Sequence, residues 1–152
     1  MRRNADTSRL TGASRTPLEN LRAPIAWGAV VGLVQAASPI AFWWLTPTTV
    51  YALSLPLIAA VYIGLSVADG RAKVIAVECG VVFAFVIIAA TAVTGPAWLI
   101  VIGLAGHGLK DLWQHHTQFV ADTRWWPPFC AVVDWVAATI LAVAITAGVQ
   151  LT

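Results

Sequence analysis

The sequence predicts an all-α protein, a polytopic membrane helical bundle of about five transmembrane helices with a cytoplasmic N-terminus. Three observations carry this. Of the 152 residues, 59% are hydrophobic and only 11% are charged, with a mean hydropathy of +0.80, whereas soluble domains are about 45–50% apolar and about 25% charged. A small domain in water buries only part of its surface, so this much apolar area needs lipid around it. The apolar residues also fall into five stretches, 24–45, 48–68, 74–94, 96–114 and 129–150, each near the ~20 residues that cross a bilayer as helix. Finally, all nine Lys and Arg lie in segments that alternating spans would put on one side: five in the N-terminal tail, Arg71 and Lys73, and Lys110 and Arg124. Basic loops stay in the cytoplasm, which fixes the N-terminus inside and the C-terminus outside.

Each element has its own local reason. Residues 1–23 are polar and Arg-rich and form a cytoplasmic tail expected to be disordered, without a removable targeting peptide; residues 24–152 form the five-helix transmembrane domain. The first span opens after Pro24 and carries Trp27 and Trp43-Trp44 for the two membrane interfaces. Pro39 and Pro56 fall inside the first and second spans, where a missing backbone donor predicts kinks. Asp69-Gly70-Arg71-Ala72-Lys73 is a tight charged turn, with Gly70 able to take positive φ. Thr94-Gly95-Pro96 makes an uncharged hairpin to the fourth span, and a loop with Trp125-Trp126-Pro127-Pro128 leads to the fifth.

Polar chemistry is concentrated between His107 and Asp134, which hold all three histidines, three of the seven acids and one of the two cysteines. His107, Asp111 and His115 recur every four residues, a slowly drifting stripe on a helix. Cys130 and Asp134 share a face of the fifth span. Glu78 lies ~7 Å into the third span, and Asp134 and His107 at a similar depth in theirs, at 1.5 Å per residue. A lone charge there costs at least ~2.5–3.5 kcal/mol, so these groups are expected to face one another rather than lipid. Cys79 and Cys130 on different spans make no disulfide framework and are expected to be buried small hydrophobes.

Several functions fit such a pocket. Glu78, Asp111, Asp134 and His107 could divide acid and base roles by desolvation and neighbouring charge, acting on a lipid or isoprenoid-like substrate that arrives sideways through the bilayer. Tyr62, Trp113, Cys130 and Trp135 would line the substrate pocket. His107, Asp111 and His115, with Glu78 and Asp134 nearby and His116 spare, could instead hold zinc or non-haem iron. Without chemistry, the same charges would fix helix register in an accessory or interaction subunit. A small oligomeric transporter ranks lower, because the polar groups gather toward one face rather than the midplane. Lys110 is expected to snorkel to the inner leaflet, and Asp122 and Arg124 to pair on the loop surface. The expected partners are membrane lipids and either further copies of the chain or a partner membrane subunit. A net charge of +2 without basic–aromatic clustering excludes nucleic acid.

The segments VADGRAKVIAVE (67–78), GHGLKDLWQHH (106–116) and TRWWPPFCAVVDW (123–135) resemble recurring blocks of small bacterial integral membrane proteins without an assigned activity. The resemblance covers the chain from about residue 24 and implies a helical bundle in the bacterial inner membrane. In outline, a five-helix bundle with a His/carboxylate pocket is also similar to sterol isomerase-type folds, though their motifs do not match here residue by residue.

Overall fold

The computed structural model describes residues 17–151. The protein is all-helical, 81% helix without strands among the described residues. Its order is α1 (Pro17–Ala36), a 3-10 turn (Ser38–Ile40), α2 (Pro47–Asp69), α3 (Ala72–Thr94), α4 (Trp98–Thr117) and α5 (Trp126–Thr146). Three of these helices, α2, α3 and α5, are long and apolar enough to cross a membrane. In α1 the apolar part is shorter, Leu21–Ala36, and α4 carries its polar residues in its last turns.

Residues 1–16 of the expected tail lie outside the described residues, but helix begins at Pro17 rather than after Pro24, which sits inside α1. The other end of that span is also corrected. α1 stops at Ala36, and Pro39 lies in the 3-10 turn instead of kinking a longer helix. Proline disfavours helical conformation in the residue before it and supplies no N–H, so the chain turns there. Pro56, in contrast, is carried within α2. α2 starts at a Thr46 cap whose Oγ1 accepts from the Thr49 N–H, and ends at Gly70 with φ +79°, whose N–H reaches the Ser66 carbonyl.

Contacts fix the helix directions. Gly28 meets Phe129 and Val132 while Gly32 meets Val133 and Val136, so α1 and α5 run parallel. Leu55 lies against Gly103 and Tyr62 near His107, making α2 parallel to α4. Phe85 near His107 and Glu78 bonded to Gln114 make α3 antiparallel to α4, and α5 is antiparallel to α4 through Asp134 and His107. The result is a bundle with a charged end, formed by the α2–α3 turn, the α4–α5 loop and the start of α1, and an uncharged end. At the uncharged end Thr48 donates from both its N–H and its hydroxyl to the Leu151 carbonyl, tying the last residues to the start of α2.

The α1–α5 seam depends on the absence of side chains. A Cβ at Gly28 would lie 2.7 Å from the Phe129 carbonyl oxygen, and one at Gly32 2.8 Å from Val136 Cβ. Two glycines four apart let the backbones touch, the small-residue solution to helix packing where lipid supplies no hydrophobic drive. Around the bundle large apolar side chains point outward, Trp43 at 81% and Leu57 at 71% exposed among them. The interior toward the uncharged end is apolar and rich in alanine, with Ala52, Leu55, Ala89, Ile100, Leu104 and Leu141 packed together. Toward the charged end it turns polar.

Candidate functional site

The polar interior is built on one face of α4. Ile100, Gly103, Leu104, His107, Gly108, Asp111 and Gln114 are its buried residues. Helix geometry explains the membership. Seven residues after His107, Gln114 has rotated only ~20° from it, whereas His115, eight residues on, has rotated ~80°. Gln114 therefore takes the inward place expected of His115, which is half-buried with Nδ1 unpartnered, while His116 is exposed. The heptad spacing was the signal in the sequence for Gln114. On α5 the buried stripe Ala131, Asp134, Ala137, Ala138 and Leu141 presents Asp134 to α4 among small residues that allow close approach.

Two separate polar groupings result. In the first, Glu78 from α3 accepts from Lys110 Nζ at 2.6 Å on Oε2 and from Gln114 Nε2 on Oε1. Lys110 also lies 3.8 Å from the centre of the Tyr62 ring, a cation–π contact. The expectation that Lys110 snorkels to the membrane surface is thus corrected: its ammonium turns inward, because a fully buried Glu78 needs a cation.

In the second, His107 Nδ1 lies 2.7 Å from Asp134 Oδ2 and 3.4 Å from Asp111 Oδ2. The ligating atoms of the three residues all lie within 4.8 Å of one another. His107 and Asp111 are 0% exposed and Asp134 is 1% exposed. Only the His107–Asp134 contact is a hydrogen bond. Both Asp111 oxygens, His107 Nε2 and the Tyr62 hydroxyl are buried without a partner. The Phe85 ring meets the His107 ring edge to face at 5.1 Å, holding the imidazole from the α3 side.

Of the four residues expected to be catalytic, His107, Asp111 and Asp134 are brought together, and Glu78 is drawn into the lysine pair. Of the expected ligand set His107, Asp111 and His115, the first two meet, and Asp134 rather than His115 completes the trio. Among the expected pocket residues, Tyr62 is buried with its ring 6.0 Å from His107, and Cys130 is half-buried one turn before Asp134. Trp135 lies across Gly108, which has no side chain to obstruct it, and its Nε1 donates to the Ala105 carbonyl at 3.3 Å. Trp113 faces outward against Phe119 instead, at 5.2 Å between ring centres. Cys79 is exposed, not buried, because Glu78 occupies the inward position beside it.

The loop between α4 and α5 is held by a clamp from the α2–α3 turn. Arg71 Nε and Nη2 each donate to Asp69 at 2.6 Å, Nη2 also donates to the Phe119 carbonyl, and Asp69 accepts from the Ala121 N–H. The Arg71 fork and that N–H hold the Asp69 carboxyl well below its ordinary range. Asp122, at φ +56°, and Arg124 form no ion pair among the described residues.

No family model, curated protein or solved structure matches the chain. What the cluster can do chemically follows from its own atoms: an imidazole and two carboxylates, buried and close together, can pass protons or hold a cation.

Proposed function

We propose that this is a multi-pass protein of the bacterial inner membrane, with five crossings and the N-terminus in the cytoplasm, whose His107–Asp111–Asp134 cluster is a reaction centre for a lipid or isoprenoid-like substrate. Five alternating crossings make α1 parallel to α5 and α2 parallel to α4, the directions the packing contacts give. Arg22, Arg71, Lys73, Lys110 and Arg124 all belong to the charged end, which the positive-inside rule assigns to the cytoplasm.

The observation that carries the functional reading is Asp111. A buried carboxyl without hydrogen bonds is expensive to keep, and bonds satisfy every other acid in the bundle interior. Asp111 is free to take a proton, and His107, fixed at Nδ1 by Asp134, has Nε2 free to give or take one. An isomerisation needs one proton removed and one returned, so this set of groups ends a turnover as it began.

The test is conversion of native lipid extract by full-length protein in nanodiscs, followed by mass spectrometry and chromatography. Wild type should change the mass or retention of a lipid species, and His107→Ala should not. No change with either protein, or the same change with both, defeats the proposal. Complete burial of the cluster favours the second reading, a non-catalytic accessory subunit whose charges fix helix register. In that case lipid composition is untouched and a partner subunit is lost when His107 is replaced.

A further inference from the structure

We infer that His107, Asp111 and Asp134 bind one divalent first-row transition-metal ion, through His107 Nδ1 and one oxygen from each carboxylate. This deepens the reading above by naming the cofactor of the same centre, and it rests on that reading for the ion's role in chemistry.

Three observations converge. The first is geometry. Around a tetrahedral cation with bonds of ~2.1 Å, neighbouring ligand atoms stand ~3.4 Å apart. His107 Nδ1 is 3.4 Å from Asp111 Oδ2 and 2.7 Å from Asp134 Oδ2, and all three ligand atoms lie within 4.8 Å of one another. The Nδ1–Asp111 contact already has that spacing, and the Nδ1–Asp134 contact would open by about 0.7 Å, with the metal taking the place of the Nδ1 proton.

Charge is the second. Glu78 and Lys110 neutralise each other within their own pair. The cluster is left with two carboxylates and one imidazole, all buried. A dication with a neutral histidine cancels both carboxylates, whereas an imidazolium cancels only one.

Asp111 supplies the third. A side chain with no exposed surface and two free acceptors facing an imidazole and a second carboxylate is a ligand set waiting for a cation. The mixture of imidazole and carboxylate suits zinc, iron or manganese. Magnesium and calcium prefer all-oxygen shells and, for magnesium, several retained waters, which suits a trio containing an imidazole poorly. The Tyr62 hydroxyl on α2 is also buried without a partner, its ring 6.0 Å from that of His107, and could approach an open position.

The experiment is elemental analysis of the full-length protein purified in detergent, then Zn²⁺ titration of chelator-stripped protein. One metal per chain is expected. Asp111→Asn, Asp134→Asn and His107→Ala should each weaken Zn²⁺ binding by at least about tenfold, and His115→Ala and His116→Ala should leave it unchanged. Co²⁺ loading of the wild type provides a readout that needs no variant to fold, through the visible absorption of a four-coordinate site. A protein that arrives metal-free and takes up neither Zn²⁺ nor Co²⁺ overturns the inference, as does binding that follows His115. Should lipid conversion still depend on His107 in metal-free protein, the ion is wrong and the proton-transfer centre stands. If metal binds but no lipid is converted, the site is right and the reaction is not.

Discussion

The bundle interior contains two polar groupings one helical turn apart, and they are wired in opposite ways. Around Glu78 each carboxylate oxygen has a donor and the one formal charge has its counter-charge. Around Asp111 neither oxygen has a donor, although an imidazole stands 3.4 Å away. Both are buried in the same four-helix packing, so burial alone does not distinguish them. The contrast separates a lock, whose members satisfy one another and resist change, from a site that remains incomplete until something binds or a proton moves.

Breaking the lock should have the largest effect. Lys110→Met leaves Glu78 buried and unpaired, and should destabilise the protein by about 3–5 kcal/mol in detergent unfolding. The double variant Glu78→Gln with Lys110→Met should recover most of that loss, because no isolated charge remains. Recovery of less than half would mean the pair does more than neutralise itself.

Next in size, Asp134→Asn in chelator-treated protein should cost about 1–3 kcal/mol, the range for disturbing a buried hydrogen bond. Asp111→Asn in the same protein should fall within about 1 kcal/mol of wild type, since no bond is lost and a buried charge is removed. If the two aspartates proved equally costly, the distinction between bonded and open carboxylates would collapse.

Packing at α1 offers a control that touches neither grouping. Gly32→Leu forces a side chain into Val136 and the Val133 carbonyl, and should cost about 1–3 kcal/mol through overpacking. Zn²⁺ binding should be retained, because α1 contributes no residue to the cluster.

The smallest effect belongs to the surface clamp. The folded-state pKa of Asp69 is depressed, so its contribution is fully present above the ordinary carboxylate value of about 3.9 and is lost as the pH falls below it. Acid titration of stability should show a slope below that pH in wild type that Asp69→Asn lacks. An identical acid limb in both would show that the clamp adds nothing to the fold.

Much of this was legible from residue order. The hydropathy pattern pointed to five helices, and the spacing of Glu78, His107 and Asp134 from the helix ends predicted a similar depth for them. Less legible were the partners. His115 fits a four-residue stripe on paper, but two such steps rotate it ~80° away, and an uncharged glutamine at the seventh position fills the inward place. Glu78 and Asp134 looked equivalent because both are acids in apolar surroundings. Packing decided which of them met His107: Glu78 lies against Lys110 and Gln114, and Asp134 against His107.

By itself, then, the sequence determined what is local and periodic: helix content, the apolar faces, the concentration of charge at one end, and the need for buried acids to find company. Only the tertiary structure decided the pairings. Helix rotation and axial register are set by close contacts such as Gly28 and Gly32 on α5 and Trp135 across Gly108. A shift of one residue turns a helical side chain by ~100°, which is enough to exchange a lysine's partner for a histidine's.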